Sequence, residues 1–169
     1  RNSIHMAHPY DESQRAYSDD NTTRIHYYYS RKVAYCEGVY YYRQQPVSTT
    51  HSISVRRFDF LLANESMRRQ LLSLGASEEN LRCYETVRWL NLVGVYMFYY
   101  LHRNELSLTD RQHGLSVMYH VWHTINIKQV SRFIRCKFGY MPLRFSWSLF
   151  CLQEELYFWL RGVVGRNRE

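Results

Sequence analysis

The sequence lacks the short motifs that mark common catalytic and cofactor sites. The GVVG stretch at residues 162–165 is neither a P-loop nor a dinucleotide-binding fingerprint. Neither GxSxG nor HExxH occurs, and no cysteine has a histidine at a recognisable catalytic spacing. We therefore predict that the chain is not an enzyme and that it binds no cofactor.

Cysteine is also scarce, and its spacing matches no known framework. The four cysteines are Cys36, Cys83, Cys136 and Cys151. They form no CxxC pair and no zinc-ligand pattern, and secreted disulfide scaffolds are shorter and richer in cysteine. The spacing predicts free thiols in a reducing compartment and no metal site.

Lysine is rare among the basic residues, and tyrosine is abundant. Only Lys32, Lys128 and Lys137 are lysines among 22 basic residues, whereas 16 residues are tyrosine. Tyrosine and arginine are enriched at buried protein interfaces, and lysine is depleted there. Codon bias is an alternative explanation for the arginine but not for the tyrosine. This composition favours a packing subunit whose partners are other proteins of a large complex.

The net charge of +7 permits an anionic partner without requiring one. The basic residues are scattered, and none of their runs exceeds a pair such as Arg56-Arg57. An RNA-binding protein would place arginines on phosphates and tyrosines against bases, yet no RNP-like, KH-like or zinc-knuckle signature occurs. A mitochondrial ribosomal or other RNA-binding structural protein is therefore the alternative, and nucleic acid is the less favoured partner.

Residues 1–50 are expected to form an extended, tyrosine-rich arm and a linker. Two tyrosine triplets lie in this part, at residues 27–29 and 40–42. Consecutive tyrosines cannot all face one core, so the segment buries well only where more than one side is covered. We predict that the arm lies in a groove of a partner and contacts it through Tyr27, Tyr28, Tyr41 and Tyr42.

Residues 51–169 are expected to form an all-α domain, giving a chain of four to five helices. The first helix is predicted at residues 57–74, with Gly75 as its stop, and Ser77 caps a second that reaches about residue 103. Residues 109–138 have helical spacing up to Gly139 and Pro142, and the last helix covers about 145–164.

The second helix changes character at Trp89, because residues 89–101 carry no charge. Thirteen residues at about 1.5 Å per residue cover roughly 20 Å, which is less than the roughly 30 Å of a bilayer core. A helix buried inside protein is favoured, and a short span or lipid contact is the alternative. The predicted partner or lipid contacts here are Arg88, Trp89, Tyr99, Tyr100 and Arg103.

The last helix is apolar on two sides. One side carries the stripe Phe145, Leu149, Leu152, Leu156, Leu160 and Val163, and the other carries Trp147, Phe150, Tyr157 and Phe158. A terminal helix of a domain this size rarely buries both sides, so either another helix or another subunit is expected to cover the second side. We assign Trp147, Phe150 and Phe158 to that interface.

Two sets of titratable residues are candidates for chemistry. Glu154 and Glu155 lie among the aromatic residues of the last helix, where a salt bridge to Arg144 or Arg161, or a contact with a partner's arginine, is favoured over a proton-handling or cation-binding role. His113, His120 and His123 share one arc of a helix, opposite its apolar stripe. We expect them to be surface groups or contacts to lipid phosphates rather than a metal or haem site.

Together these features favour a non-catalytic accessory subunit of a mitochondrial inner-membrane complex, either of the respiratory chain or ATP synthase. Such a subunit would act in assembly and structural bracing, at the inner membrane or its matrix face. The sequence begins at Arg1 rather than Met. A cleaved presequence would produce this, and so would a truncated record or a misassigned start at Met6.

Overall fold

All regular secondary structure in the described part of the chain is helical. The structure is a computed structural model that describes residues 2–10, 17–39, 41 and 52–165, and it contains no strand in these ranges. The helices are α1 (Asn2–Ala7), α2 (Ser18–Tyr29), α3 (Arg56–Ser73), α4 (Glu78–His102), α5 (Leu108–Thr124), α6 (Arg132–Arg135) and α7 (Trp147–Val163). The all-α class is confirmed. The helix count in the described ranges exceeds the prediction because α1 and α2 fall in the expected arm and α6 is a single short turn.

The junction between α3 and α4 follows the local signals that the sequence carries. Gly75 adopts a φ of 66°, and its N–H bonds the carbonyl of Leu72 while the next N–H bonds that of Leu71. This is the Schellman arrangement that ends a helix at a glycine. The Ser77 side chain then accepts from the N–H of Asn80 and caps α4. Both predicted signals are confirmed.

Helix α4 is the central element, and α3, α5 and α7 all pack against it. The part of α4 from residue 89 to residue 99 supplies much of the core, including Trp89, Leu92, Val93, Val95, Tyr96 and Phe98. The uncharged run is therefore a helix buried inside protein, as the favoured interpretation predicted. Within the described ranges, no helix is both long and apolar enough to cross a bilayer.

A buried ionic network joins α3, α4 and α5 near the N-terminal half of α4. Glu85 and Arg88, one turn apart on α4, are almost completely buried, and the Arg88 Nη1 atom lies 3.1 Å from both Glu85 oxygens. Arg68 of α3 also donates to Glu85. From the other side, the backbone N–H of Asn126 donates to Glu85 at 3.0 Å, and Arg88 donates to the Thr124 hydroxyl at 2.7 Å.

This network corrects the sequence-based view of α4. In the structure Glu85 is buried, whereas Cys83 and Val87 of the same helix are exposed. Arg88, predicted as a partner contact, lies in the interior instead. The reason is that Arg68 and Arg88 together satisfy the carboxylate, which makes burial of the charges tolerable.

Helix α5 ends earlier than its helical spacing suggested. Its last residue is Thr124, and the continuous helix expected up to residue 138 is replaced by a turn and the four-residue α6. Asn126 directs its N–H to Glu85 rather than to a helical carbonyl. Arg144 meanwhile donates to the carbonyls of Trp122, His123 and Ile125, so it satisfies the end of α5 from outside.

The N-terminal part is helical where the sequence suggested an extended arm. Helix α2 packs on α3, with Ile25 buried and the Asn21 side chain donating to the Ala63 carbonyl at 2.8 Å. The first tyrosine triplet ends this helix, and residues 31–39 have no helix or strand and are exposed. Tyr40 and residues 42–51, with Tyr42 among them, lie outside the described residues. The domain boundary near residue 50 stays a prediction.

Replacing Glu85 by alanine should destabilise the fold strongly. The change leaves the buried Arg88 guanidinium without its carboxylate, and breaking a buried ion pair from one side costs about 3–5 kcal/mol. Urea denaturation of the purified chain measures this loss. Glu79→Ala, at an exposed position of the same helix, is the control and should change stability by less than about 1 kcal/mol. Equal effects of the two changes would contradict the role of the network.

Two glycine substitutions should have opposite effects. A Cβ atom on Gly114 of α5 would overlap the buried Phe58 ring, so Gly114→Ala should destabilise by about 1–3 kcal/mol. A Cβ atom on Gly94 of α4 meets nothing within 4 Å, so Gly94→Ala should stabilise by about 0.5–1 kcal/mol through helix propensity. Thermal melts of the two variants and the wild type measure both changes in stability. A Gly114→Ala chain as stable as the wild type would show that α3 and α5 are less closely packed.

Candidate interaction surface

One side of α7 is fixed in the core of the chain. Ser146 caps the helix, and Phe150, Glu154 and Phe158 follow at intervals of one turn, all of them buried. The Phe150 ring lies 5.5 Å from that of Trp89, and the Phe158 ring lies 5.8 Å from that of Tyr100. These aromatic contacts attach α7 to α4 and determine which side of the helix remains outside.

The opposite side of α7 is exposed and apolar along its length. We call it the leucine face, and it consists of Leu149, Leu152, Leu156, Trp159, Leu160 and Val163. At 100° per residue these side chains fill an arc of about 100°, and they extend over roughly 21 Å. Leu152 is 63% exposed and Val163 is 69% exposed. The leucine face contains no charged residue, and Phe145 and Val164, which are also exposed, lengthen it at the two ends.

This orientation is the reverse of the sequence-based assignment. Phe150 and Phe158, predicted to contact a partner, are buried in the chain itself, while the stripe with the regular leucine spacing faces outward. Periodicity alone did not distinguish two apolar sides. The distinction comes from the aromatic residues of α4 and α5, since Trp89 and Trp122 both lie against Phe150. Trp147 is half-buried beside them.

Polar and aromatic groups form the edges of the leucine face. On one edge Glu155 accepts from Arg103 at 2.7 Å and from the Tyr96 hydroxyl at 3.3 Å. On the other edge the Tyr157 ring lies 5.8 Å from that of Phe138. The surface is therefore apolar in its middle and polar at one rim.

The other predicted contact residues lie in several places. Trp89 and Tyr99 belong to the core, and Tyr100 and Arg103 are half-buried near α7. Tyr27, Tyr28 and Tyr41 are exposed. The interface roles of these three tyrosines, and of Tyr100 and Arg103, stay predictions. Trp159 was missed by the sequence analysis. Its position among the regularly spaced leucines was the available signal.

The Glu154 carboxyl group is buried without a basic partner among the described residues. The expected salt bridge to Arg144 or Arg161 is therefore wrong, since Arg144 bonds the end of α5 and Arg161 lies over the Tyr157 ring. The Gln153 amide donates to one Glu154 oxygen at 3.1 Å, and the other oxygen has no hydrogen-bond partner in this part of the structure. Burial raises the pKa of Glu154 to about 8, although the Gln153 bond acts in the opposite direction.

The histidines of α5 are exposed, as the sequence predicted. His120 lies 3.1 Å from Glu65, and His123 contacts the rings of Tyr119 and Trp122. His113 is exposed on the same helix. In the described ranges, no group of three histidine, cysteine or acidic side chains is placed to hold a metal ion.

No protein family, curated protein sequence or solved structure matches this chain. The indications of function therefore come from the exposed surface itself. The leucine face offers no titratable side chain for proton transfer. What it can do physically is bury apolar area against another molecule.

Replacing Glu154 by glutamine should flatten the dependence of stability on pH. The folded state retains a proton that the unfolded chain releases above its ordinary pKa of 4.5. The stability from this proton is therefore fully present below about pH 4.5 and is lost as the pH rises toward 8. Each unit of pKa shift corresponds to about 1.4 kcal/mol, so the loss amounts to several kcal/mol.

Urea denaturation at intervals from pH 4.5 to pH 8.5 tests this expectation. The difference in unfolding free energy between Glu154→Gln and the wild type should grow in favour of the variant across this range. Glu79→Gln, at an exposed position of α4, should retain the wild-type profile. Parallel profiles for wild type and Glu154→Gln would mean that Glu154 is ionised in the folded chain at neutral pH.

Proposed function

We propose that the protein is a non-catalytic helical subunit that braces a larger protein assembly. It docks on another subunit through the leucine face of α7. The exposed, uncharged apolar side of this helix is the single observation that carries the proposal. Contiguous apolar surface of this extent is unfavourable in water and typically marks an interaction site.

The spacing of the leucine face favours a helix as the docking element. Leu149, Leu152, Leu156, Trp159 and Val163 alternate steps of three and four residues. This is the spacing with which two helices pack side by side at a shallow angle, each inserting side chains between those of the other. We therefore expect the partner to present an apolar helix roughly along α7.

The size and anatomy of the surface also support a protein partner. With Phe145 and Val164 included, the exposed apolar area is on the order of 800 Å², which is the contribution of one partner to a standard interface. Trp159 lies within this surface, and tryptophan is enriched at the energetic centres of interfaces. The Glu155–Arg103 ion pair supplies a polar rim.

Narrower forms of this proposal come from the sequence. In one of them the assembly is a mitochondrial inner-membrane complex of the respiratory chain or ATP synthase. In the other, the tyrosine-rich arm predicted from the sequence provides a second contact through Tyr27, Tyr28, Tyr41 and Tyr42 and lies along a groove of the partner. Subcellular fractionation tests the first form. Recovery of the chain mainly outside mitochondria would contradict it.

Placing two charges on the leucine face should abolish docking without unfolding the chain. Leu152→Glu combined with Leu156→Glu would put carboxylates at the middle of the interface, where their burial is strongly unfavourable. After affinity purification from cells that produce the protein, the amount of its specific partner recovered should fall at least tenfold. Quantitative mass spectrometry measures this amount. Circular dichroism melts should change little because both side chains are exposed.

The matched control is Ser116→Glu, which adds a charge at an exposed position of α5. It should leave the recovery of the partner unchanged. Equal recovery with the α7 double variant and with the wild type would contradict docking through the leucine face. A chain that crosslinks only to copies of itself through α7 would also contradict it, because the partner would then be a second copy.

A further inference from the structure

A second exposed surface surrounds α6 and differs in chemistry from the leucine face. It consists of Arg132, Phe133, Cys136, Lys137 and Phe138, and we call it the α6 patch. The Phe133 ring is 80% exposed, although it stands between basic side chains on a short turn of helix. The preceding Val130 is buried and Ile134 packs against the core. This anchoring of the turn on both sides leaves Phe133 outside.

The α6 patch lies in a long stretch of sequence that contains no acidic residue. Between Asp110 and Glu154 the chain has neither aspartate nor glutamate. The part of this stretch nearest to α6 carries Lys128, Arg132, Arg135, Lys137 and Arg144. The local positive charge is therefore not neutralised by neighbours in sequence, and it coincides with exposed aromatic rings. The scattered basic residues of the whole chain conceal this local concentration.

We propose that the α6 patch binds the surface of an anionic lipid bilayer. A cationic side chain near such a surface gains about 1 kcal/mol, and an apolar ring gains further by entering the boundary between headgroups and acyl chains. Phe133 is exposed for insertion, and the neighbouring Arg132 and Lys137 are exposed for headgroup contacts, with the Lys137 ammonium 4.7 Å from the Tyr140 ring centroid. An anionic bilayer thus satisfies both properties of the patch together.

A nucleic acid fits the chemistry of the α6 patch less well than an anionic bilayer does. Proteins that bind single strands combine a basic groove along the backbone with several free ring faces for stacking. Here the exposed basic residues Arg132 and Lys137 neighbour in sequence one strongly exposed ring, that of Phe133. Phe138 meets Tyr157 edge-to-face at 86°, so it already packs within the chain. Exposed apolar residues of α7 lie beyond Tyr157, and they offer nothing to phosphates.

The lipid contact is independent of docking through α7, although the two surfaces are close. Phe138 belongs to the α6 patch and contacts Tyr157 at the edge of the leucine face. A subunit with these two surfaces side by side would suit the margin of a membrane-bound assembly. The two proposals can fail separately because vesicle binding requires only the isolated chain.

Vesicle flotation with the full chain tests the proposal. We expect binding to vesicles of phosphatidylcholine with about 30% phosphatidylglycerol, and much weaker binding to phosphatidylcholine alone. Arg132→Gln with Lys137→Gln should lower the partition coefficient on anionic vesicles about 30-fold, because each basic residue contributes about 1 kcal/mol. Phe133→Ser should lower it about tenfold, because burial of the ring is lost.

Control variants that make the same kinds of substitution at exposed positions of α3 and α5 show whether the effect is specific to the α6 patch. Arg56→Gln with Arg69→Gln removes two exposed charges from α3, and Leu108→Ser removes an exposed apolar side chain from α5. Each should change binding less than threefold. Equal losses from the α3 and α6 charge changes would overturn the α6 patch as the site, because binding would then follow net charge alone. A loss with Leu152→Glu and Leu156→Glu but not with the α6 variants would assign the membrane to the leucine face instead.

A fluorescent label locates the contact directly. Cys136 and Cys83 are both exposed, so chains in which either one is the only remaining cysteine, with Cys36 and Cys151 also replaced, can carry an environment-sensitive dye at that position. The dye at Cys136 should shift to the blue on anionic vesicles, and the dye at Cys83 should not. A shift at Cys83 alone would overturn the proposal. So would α6 charge variants that lose binding to single-stranded RNA while retaining vesicle binding.

Discussion

The buried pairing of Glu85 with Arg88 is the interaction on which the arrangement of helices depends. Two charges on α4 are removed from water, and their burial is tolerated because other groups supply most of the hydrogen bonds around them, although Arg88 Nε has no hydrogen-bond partner in the described part of the chain. Arg68 provides one of these hydrogen bonds from α3, and Thr124 and Asn126 provide others where α5 ends. Burial lowers the pKa of Arg88, and the adjacent carboxylate counteracts this effect. The network thus determines both the position of α3 and the point at which α5 stops.

Once α3, α4 and α5 are fixed, aromatic rings of α4 and α5 present an apolar surface on which α7 packs. The aromatic side of α7 fits against Trp89, Tyr96 and Trp122, and this places the leucine face outside. The proposed protein-docking surface is therefore a consequence of core packing rather than of any motif. The proposed lipid contact arises in the same way, because the early end of α5 leaves α6 as a short exposed turn instead of the continuation of a long helix.

Much of the local structure could be predicted from the sequence. Gly75, Ser77 and the composition of residues 57–74 located the ends of two helices, because capping depends on neighbouring backbone groups only. The buried character of the uncharged run after Trp89 was also predicted. The end of α5 could not be predicted, since the groups that terminate it come from Glu85 on α4 and from Arg144 beyond α6. Nor could it be predicted that Glu154 has no basic partner among the described residues, because this depends on Arg144 donating to the carbonyls at the end of α5.

The sequence by itself determined that this chain is helical, that it is rich in apolar and aromatic residues, and that its last helix is apolar on two sides. Periodicity and composition carry that information because they record how much apolar area each helix has. Only the tertiary structure decided which side is covered by the chain itself. That choice depends on the fit between rings on different helices and on a buried ion pair, and neither is visible in the spacing of residues along one helix.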